Sequence, residues 1–169
     1  MKLRPLVLTS LLTLLGVISR AEPLAVGAAA PAVSALTDEG KTLSLADVYK
    51  ANNYTLVWFY PKALTGGCTK QGCSLRDAAA DLKKHGVAVV GVSADTVELQ
   101  KKFKETNHFP YSLLADTDKK VMKAFGQAGT GLAAREAYLV DRSGKIVYHD
   151  EKQTDKQAEK VLEFLAKKS

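Results

Sequence analysis

The chain has 169 residues, is 46% hydrophobic and 25% charged, and carries a net charge of +6. That length supports one domain with a real core and is short for two, and the composition excludes a disordered or fibrous chain. Lys and Arg are scattered among Asp and Glu, as in Asp77-Ala-Ala-Ala-Asp81-Leu-Lys-Lys84, which reads as solvated surface and not as a nucleic-acid footprint.

The N-terminus is a separate object. Lys2 and Arg4 form a basic head, Leu6 to Ile18 is an apolar run broken only by Thr9, Ser10, Thr13 and Gly16, and Ser19-Arg20-Ala21 offers a small-residue cleavage site. This order predicts a secretory signal over residues 1–21, removed to leave a single domain over 22–169 in a periplasmic or extracellular compartment. The rival reading is an uncleaved anchor, but the apolar run is about 13 residues where a spanning helix needs about 20, so no stable membrane insertion is expected after cleavage. No Cys lies near the cleavage site to take a lipid. The leader holds three cations (Lys2, Arg4, Arg20) and no acid, so the remainder carries +3.

Residues 22 to 35 are Ala- and Pro-rich and read as irregular, and Thr37 to Lys41 as a turn. A short helix is expected over Leu45–Lys50. Tyr54-Thr-Leu-Val-Trp-Phe-Tyr60 is a continuous β-branched and aromatic run ended by Pro61, the pattern of a strand covered on both faces. Trp58 and Tyr60 on it are expected in the core. A helix follows over Thr69–Lys84, with Leu75, Ala79 and Leu82 on one face and His85-Gly86 as its stop. Val87 to Ser93 reads as a second buried strand. Asp95 is expected to cap the next helix, which carries Leu99 and Phe103. A further helix spans about Asp118 to Phe125. Glu136–Val140 and Lys145–His149 form a hairpin across Asp141-Arg-Ser-Gly144. The last helix is expected over Thr154–Lys167, with Ala158, Val161, Leu162 and Leu165 on one stripe. Alternating strands and helices closed by a hairpin predict an α/β domain with a mixed central sheet covered by helices on both faces.

Only two cysteines occur, Cys68 and Cys73. A bridge between them would close a very small loop and restrain little chain entropy, so the spacing favours redox chemistry over a structural staple, although a structural bridge stays open. Cys68 follows a strand, Pro61 and a Gly66-Gly67 loop, and opens a helix. Free N–H groups and a partial positive charge at that helix end favour an anion. An ordinary thiol is only about 3% ionised at neutral pH. Bringing one to a pKa near 6 takes about 3 to 3.5 kcal/mol, of which a helix terminus supplies about 0.3 to 2. A charge-assisted hydrogen bond adds about 1.5 to 3, so a cationic donor is expected, and spacing alone does not say which Arg or Lys supplies it. Arg76 could be such a group or an ordinary ion-paired side chain. His85, His108 and His149 lack ligand spacing, so no metal or other cofactor is expected.

Pro61-x-x-x-Thr65-x-x-Cys68 matches the active-site signature of the peroxiredoxins, and Phe59-Tyr-Pro-Lys…Thr-x-Gly-Cys-Thr69 with Cys73 and Arg76-Asp77 beyond it resembles the peroxiredoxin Q (bacterioferritin comigratory protein) subfamily. Leu24-Ala-Val-Gly27, Phe109 to Asp116, Phe125-Gly126 and Arg135 to Ile146 extend the resemblance over nearly all of residues 22–169. The resemblance implies a thioredoxin-like fold and a thiol peroxidase that reduces hydrogen peroxide and alkyl hydroperoxides. It implies Cys68 as the peroxidatic thiol, Cys73 as the resolving thiol of an intramolecular disulfide, Thr65 as the hydroxyl that holds a peroxide oxygen, Pro61 as a shield against water and Arg135 as the cationic donor. It also implies a thioredoxin-like reductant and a monomer; export of the enzyme, in turn, requires an electron donor that is itself exported or membrane-linked. Two positions depart from the family: Ala63 stands where an acid is usual and Gly66 where Pro is usual, which bears on rate more than on reaction.

The competing function is a thiol–disulfide oxidoreductase on the same fold, which normally spaces its cysteines two apart. One geometric expectation follows from the pair itself. On one regular helix, Cys68 and Cys73 would hold their Cα atoms about 8.6 Å apart, beyond the 4.4–6.8 Å or so that a disulfide spans, so the helix would have to unwind to form the bridge. Gly72 would ease the opening by about 1 kcal/mol relative to Ala.

Overall fold

The computed structural model describes residues 22–129 and 131–168; the predicted signal over 1–21 lies outside them. Seven strands form one mixed sheet: β1 (Ser34–Thr37), β2 (Thr42–Ser44), β3 (Tyr54–Phe59), β4 (Val87–Ser93), β5 (Ser112–Ala115), β6 (Glu136–Asp141) and β7 (Ile146–Glu151). Their order across the sheet is β2-β1-β5-β4-β3-β6-β7. β3 runs parallel to β4 and β4 parallel to β5, while β1, β6 and β7 pair antiparallel with their neighbours. Among the described residues the helices are α1 (Leu45–Ala51), α2 (Gly66–Asp77), α3 (Ala79–Lys84), α4 (Val97–Asn107), α5 (Lys120–Ala124) and α6 (Gln157–Ala166).

The two faces of the sheet are buried by different helices. On one face Leu56, Trp58 and Tyr60 meet Leu75 and Leu82 of α2 and α3, Phe103 of α4 and Val161 of α6, and Cys68 belongs to this cluster. On the other, Val57 and Phe59 meet Leu45 and Tyr49 of α1 and Val121 and Met122 of α5. The period-two pleat of β3 sends alternate side chains to the two sides, and burial on both sides is why its sequence is apolar and aromatic but for Thr55. Trp58 and Tyr60 are wholly buried and stack with ring centroids 4.5 Å apart, as core side chains.

Several local expectations are corrected. The helix expected over 69–84 is two helices, parted where Ala78 leaves the helical region (φ −93°, ψ 6°). The break lets α2 pack on α6 while α3 turns onto β4; the local Ala-rich sequence favours continuity, and packing overrides it. Asp95 does not cap α4. Thr96 does, accepting from the Leu99 N–H at 3.4 Å. Leu99 is 38% exposed, and the buried stripe of α4 is Gln100 with Phe103. Strand β1 begins in the stretch read as irregular and runs into the expected turn, which is present, and β2 and β5 were not anticipated as strands; each of the three has only three or four residues.

Candidate active site

The sheet register brings the site together. β3 and β6 are antiparallel, with Trp58 opposite Ala137. The chain leaving β3 at Tyr60 therefore lies beside the chain entering β6 at Arg135, although 75 residues or so of sequence intervene. Pro61 ends β3 because it has no N–H for the ladder, and the next four residues lead into α2. Ala63 is anchored in this loop: its N–H donates to Asp95 Oδ2 (2.7 Å), which also accepts from the Ser93 hydroxyl (2.7 Å). Gln100 Nε2 donates to Ser93 Oγ (2.8 Å), and the Tyr60 hydroxyl donates to Gln100 Oε1. Asp95 thus holds the loop before Cys68 and does not cap a helix. Leu64 takes a left-handed conformation (φ 63°), a position where a side chain costs about 1 to 2 kcal/mol. That turn brings Thr65 Oγ1 back to donate to the Lys62 carbonyl at 2.9 Å.

Thr65 is the N-cap of α2 by backbone (φ −92°, ψ 150°) and makes no side-chain cap. Cys68 is the third residue of the helix and is 1% exposed. It lies in the first turn, where backbone N–H groups lack intrahelical acceptors. Arg135 Nη2 stands 3.5 Å from Cys68 Sγ. The approach needs a glycine: a β-carbon on Gly67 would sit 3.1 Å from the same Nη2. Nη1 of Arg135 donates to Gln71 Oε1 (2.6 Å) and to the Gly67 carbonyl (3.4 Å), and the Arg135 carbonyl accepts from the Lys152 N–H at 2.8 Å. The guanidinium is therefore gripped by the helix that carries the thiol. Burial pushes the phenols of Tyr60 and Tyr111 well above their ordinary range, so they stay neutral.

Cys73 lies on the same regular helix as Cys68, half-buried, and both thiols are free. Its Sγ is 3.9 Å from Asn107 Oδ1. Arg76 is ion-paired, with Nε donating to Asp77 Oδ1 (2.8 Å) and Nη1 to the Asn107 carbonyl (2.8 Å), so it serves the Cys73 end of the helix. Thr65, Cys68 and Arg135 are thus gathered at one end of the sheet, with Pro61 at the start of the same loop, and Cys73 stands a turn and a half deeper along α2. Sequence reading gave Asp95 the wrong role and missed Gln71 and Gln157. The signal available was a polar residue on a buried stripe: Gln71 falls between Cys68 and Leu75, and Gln157 precedes Ala158 and Val161.

A seven-stranded sheet that presents a buried cysteine in the first turn of a helix, under an arginine from the chain entering a nearby strand, defines the peroxiredoxin class of thiol enzymes. The AhpC/TSA family model matches residues 26–149, and the chain belongs to that family, in its peroxiredoxin Q and bacterioferritin comigratory protein branch. It is 37% identical over 144 residues to the chloroplastic peroxiredoxin Q of Suaeda salsa, covering 82% of this chain and 66% of that protein. It is 38% identical over 130 residues to the peroxiredoxin bcp of Coxiella burnetii, covering 72% of this chain and 84% of that one. The chain therefore spans about two thirds of the length of the plant relatives. Among solved structures it superposes on the peroxidoxin BcpB of Mycobacterium tuberculosis with a TM-score of 0.77 at 29% identity, covering 84% of this chain and 96% of that one. On Xylella fastidiosa PrxQ the TM-score is 0.78 at 22% identity, over 87% and 98% of the two chains, which is a likeness of fold.

Proposed function

We propose that this protein is a thiol-dependent peroxidase for hydrogen peroxide and alkyl hydroperoxides. The observation that carries the reading is the 3.5 Å approach of Arg135 to the buried Sγ of Cys68 in the first turn of α2. The Cys68 thiolate attacks one peroxide oxygen, the O–O bond breaks, and the departing oxygen leaves as water or an alcohol after taking a proton. Cys68 becomes a sulfenic acid. Thr65, whose hydroxyl oxygen keeps free lone pairs, holds the peroxide, Arg135 stabilises the thiolate and the developing oxyanion, and Pro61 screens the sulfur from water. Cys73 then attacks the Cys68 sulfur, an S–S bond forms, and water leaves. A dithiol of the thioredoxin type reduces the bridge and is itself oxidised. The protein acts as a monomer.

The basic head, apolar run and small-residue site of residues 1–21 support export by a secretory signal; a transit peptide would be amphipathic and rich in Arg and Ser. The exported enzyme meets a reductant in the same compartment. Cell fractionation with sequencing of the mature N-terminus tests this part: a product beginning at Glu22 in the exported fraction supports it, and an intact Met1 in the cytosol removes it. The activity is tested by stopped-flow reduction of hydrogen peroxide and of an alkyl hydroperoxide, with insulin-disulfide reduction as the contrasting assay. Peroxide consumption that vanishes in Cys68→Ser supports the reading; insulin reduction without peroxide consumption replaces it with the oxidoreductase.

A further inference from the structure

A hydrogen-bond chain leads away from Cys68, and its direction is fixed at every step. Arg135 stands over Sγ and donates through Nη1 to Gln71 Oε1. With its oxygen committed there, Gln71 donates through Nε2 to Gln157 Oε1 (3.0 Å). Gln157 in turn donates through Nε2 to Asp150 Oδ2 (2.8 Å), which also accepts from the Tyr148 hydroxyl (2.8 Å). Gln71 and Gln157 are both 0% exposed, so neither amide reaches bulk solvent. Four segments contribute: the entry to β6, α2, the first residue of α6, and β7. Asp150 pairs with Ala137 across the β6–β7 ladder, which places it on the same face of the sheet as Arg135.

A carboxamide has a donor end and an acceptor end. If Gln71 turned over, it would present an NH₂ group to the guanidinium, donor against donor, and Arg135 would lose the contact that holds it beside the sulfur. Gln71 is kept the right way round by having to donate to Gln157, and Gln157 by having to donate to Asp150. Both ends enforce one sense, because a guanidinium donates and cannot accept while an ionised carboxylate accepts and cannot donate, and Asp150 is the acceptor on which the two amides terminate. Burial pushes the Asp150 carboxyl up, and the bonds from Tyr148 and Gln157 oppose that shift. Oδ1 of Asp150 is buried and has no hydrogen-bond partner among the described residues, so this carboxylate is kept at a place where it is only half satisfied. We propose that Asp150 and Gln157 are positioning residues for the reactive thiol: they fix the orientation of the Gln71 amide and, through it, the guanidinium of Arg135. Their part in turnover rests on the peroxidase reading; their effect on the Cys68 thiol does not.

The test compares side chains of one size that differ in accepting power. Two rates are measured on the reduced full chain: alkylation of Cys68 by iodoacetamide, followed by peptide mass, and oxidation by hydrogen peroxide in stopped flow. Asp150→Leu lacks an acceptor and slows both by about tenfold. Asp150→Asn keeps a carbonyl for Gln157 and stays within about threefold of wild type. The double variant Asp150→Leu with Gln157→Glu recovers both rates, because a carboxylate at 157 accepts from Gln71 with no help from Asp150. Wild-type rates in Asp150→Leu, equal slowing in the Asn and Leu variants, or no recovery in the double variant would overturn the proposal. Should Asp150→Leu melt below the assay temperature, Gln157→Glu and Gln157→Met decide the matter: a fast Glu and a slow Met support the chain, and equal rates dismiss it. If wild type ignores peroxide, the peroxidase reading falls, and the alkylation rates still judge these two residues.

Discussion

The ring of Phe109 occupies the space that a side chain on Gly72 would need: a β-carbon built there lies 2.9 Å from Cε1 of Phe109 and closer still to Cζ. Phe109 is itself wedged between Phe103 (centroids 4.9 Å, edge on) and Tyr111 (5.3 Å, stacked), so the ring has little room to retreat. The Tyr111 hydroxyl donates to the Gly72 carbonyl at 2.8 Å. Helix propensity alone makes Gly72→Ala a gain of about 1 kcal/mol, but overpacking a tight core costs about 1 to 3 kcal/mol. Gly72→Ala should therefore destabilise the reduced protein by up to about 2 kcal/mol and should not slow disulfide formation. Denaturant melts of the reduced forms decide this; a raised midpoint would mean that propensity outweighs the contact.

Substituting the two thiols separates the chemical steps. Cys68→Ser should abolish peroxide turnover, because a serine hydroxyl is not ionised near neutral pH. Cys73→Ser should complete one stoichiometric reaction with peroxide and then stop as the sulfenic acid, unless an added thiol rescues it. Mass spectrometry after one equivalent of peroxide reads the outcome directly. Turnover that survives in Cys68→Ser moves the nucleophile elsewhere.

Arg135 and Gly67 form a further pair to probe together. Arg135→Ala removes the guanidinium that stands 3.5 Å from the sulfur and should slow sulfenic acid formation by about a hundredfold, in line with the loss of a charge-assisted bond of about 2 to 3 kcal/mol. Lys at this position should rescue only in part, since it lacks the planar fork that holds Gln71 and Cys68 at once. Gly67→Ala should act in the same direction, more weakly, by pressing a methyl group against Nη2 at 3.1 Å. Stopped-flow rates of the first oxidation check all three; an unchanged rate in Arg135→Ala takes this residue out of the reaction.

What could be read from the sequence was set by where the determinants lie along the chain. β3 and β4 were legible because continuous apolar runs of six or seven residues admit few alternatives. β1, β2 and β5 were not, because strands of three or four residues take their state from the neighbours they pair with. The break at Ala78 was invisible because it answers to the separate packing of α2 and α3. At the site, the Cys68 segment announced itself through local spacing. Arg135 entered only through resemblance, since the antiparallel register that brings it to Cys68 is a long-range fact. Asp95 was noticed as a helix cap, a local role, when its actual partner, the Ala63 N–H, is 32 residues away.

Gly66 offers a change with a calculable sign. It is the first residue of α2, it is exposed, and nothing lies within 4 Å of a β-carbon built on it. Proline suits a first helical position. The preceding residue must then be extended, and Thr65 already is, at φ −92° and ψ 150°. Gly66→Pro should stabilise the protein by about 0.4 to 1 kcal/mol through the unfolded chain. It should also leave the position of Cys68 in the first turn intact. A melting shift of a few degrees upward with an undiminished rate of first oxidation is the expected pair of results. A fall in that rate would show that the loop needs glycine's freedom to admit peroxide.

Cys68 and Cys73 share one regular helix, which sets their Cα atoms about 8.6 Å apart, while a disulfide spans no more than about 6.8 Å. The reduced structure therefore cannot close the bridge without opening α2. The contacts that resist opening are identifiable. Tyr111 holds the Gly72 carbonyl, Arg76 holds the Asn107 carbonyl, and Gln71 holds Gln157. Each of these is a hydrogen bond of modest net worth, about 1 kcal/mol or somewhat more where a charge takes part. The sum is within reach of a reaction as favourable as sulfenic acid condensation, yet large enough to favour the closed helix again once the bridge is reduced. Amide exchange across Thr69 to Cys73 should accordingly be faster in the oxidised protein than in the reduced one, and Tyr111→Phe, which frees the Gly72 carbonyl and leaves the ring, should speed disulfide formation without altering the first attack on peroxide. Equal protection of these amides in both redox states, with the bridge confirmed by mass, would mean that the helix does not unwind and that the bridge forms by another route.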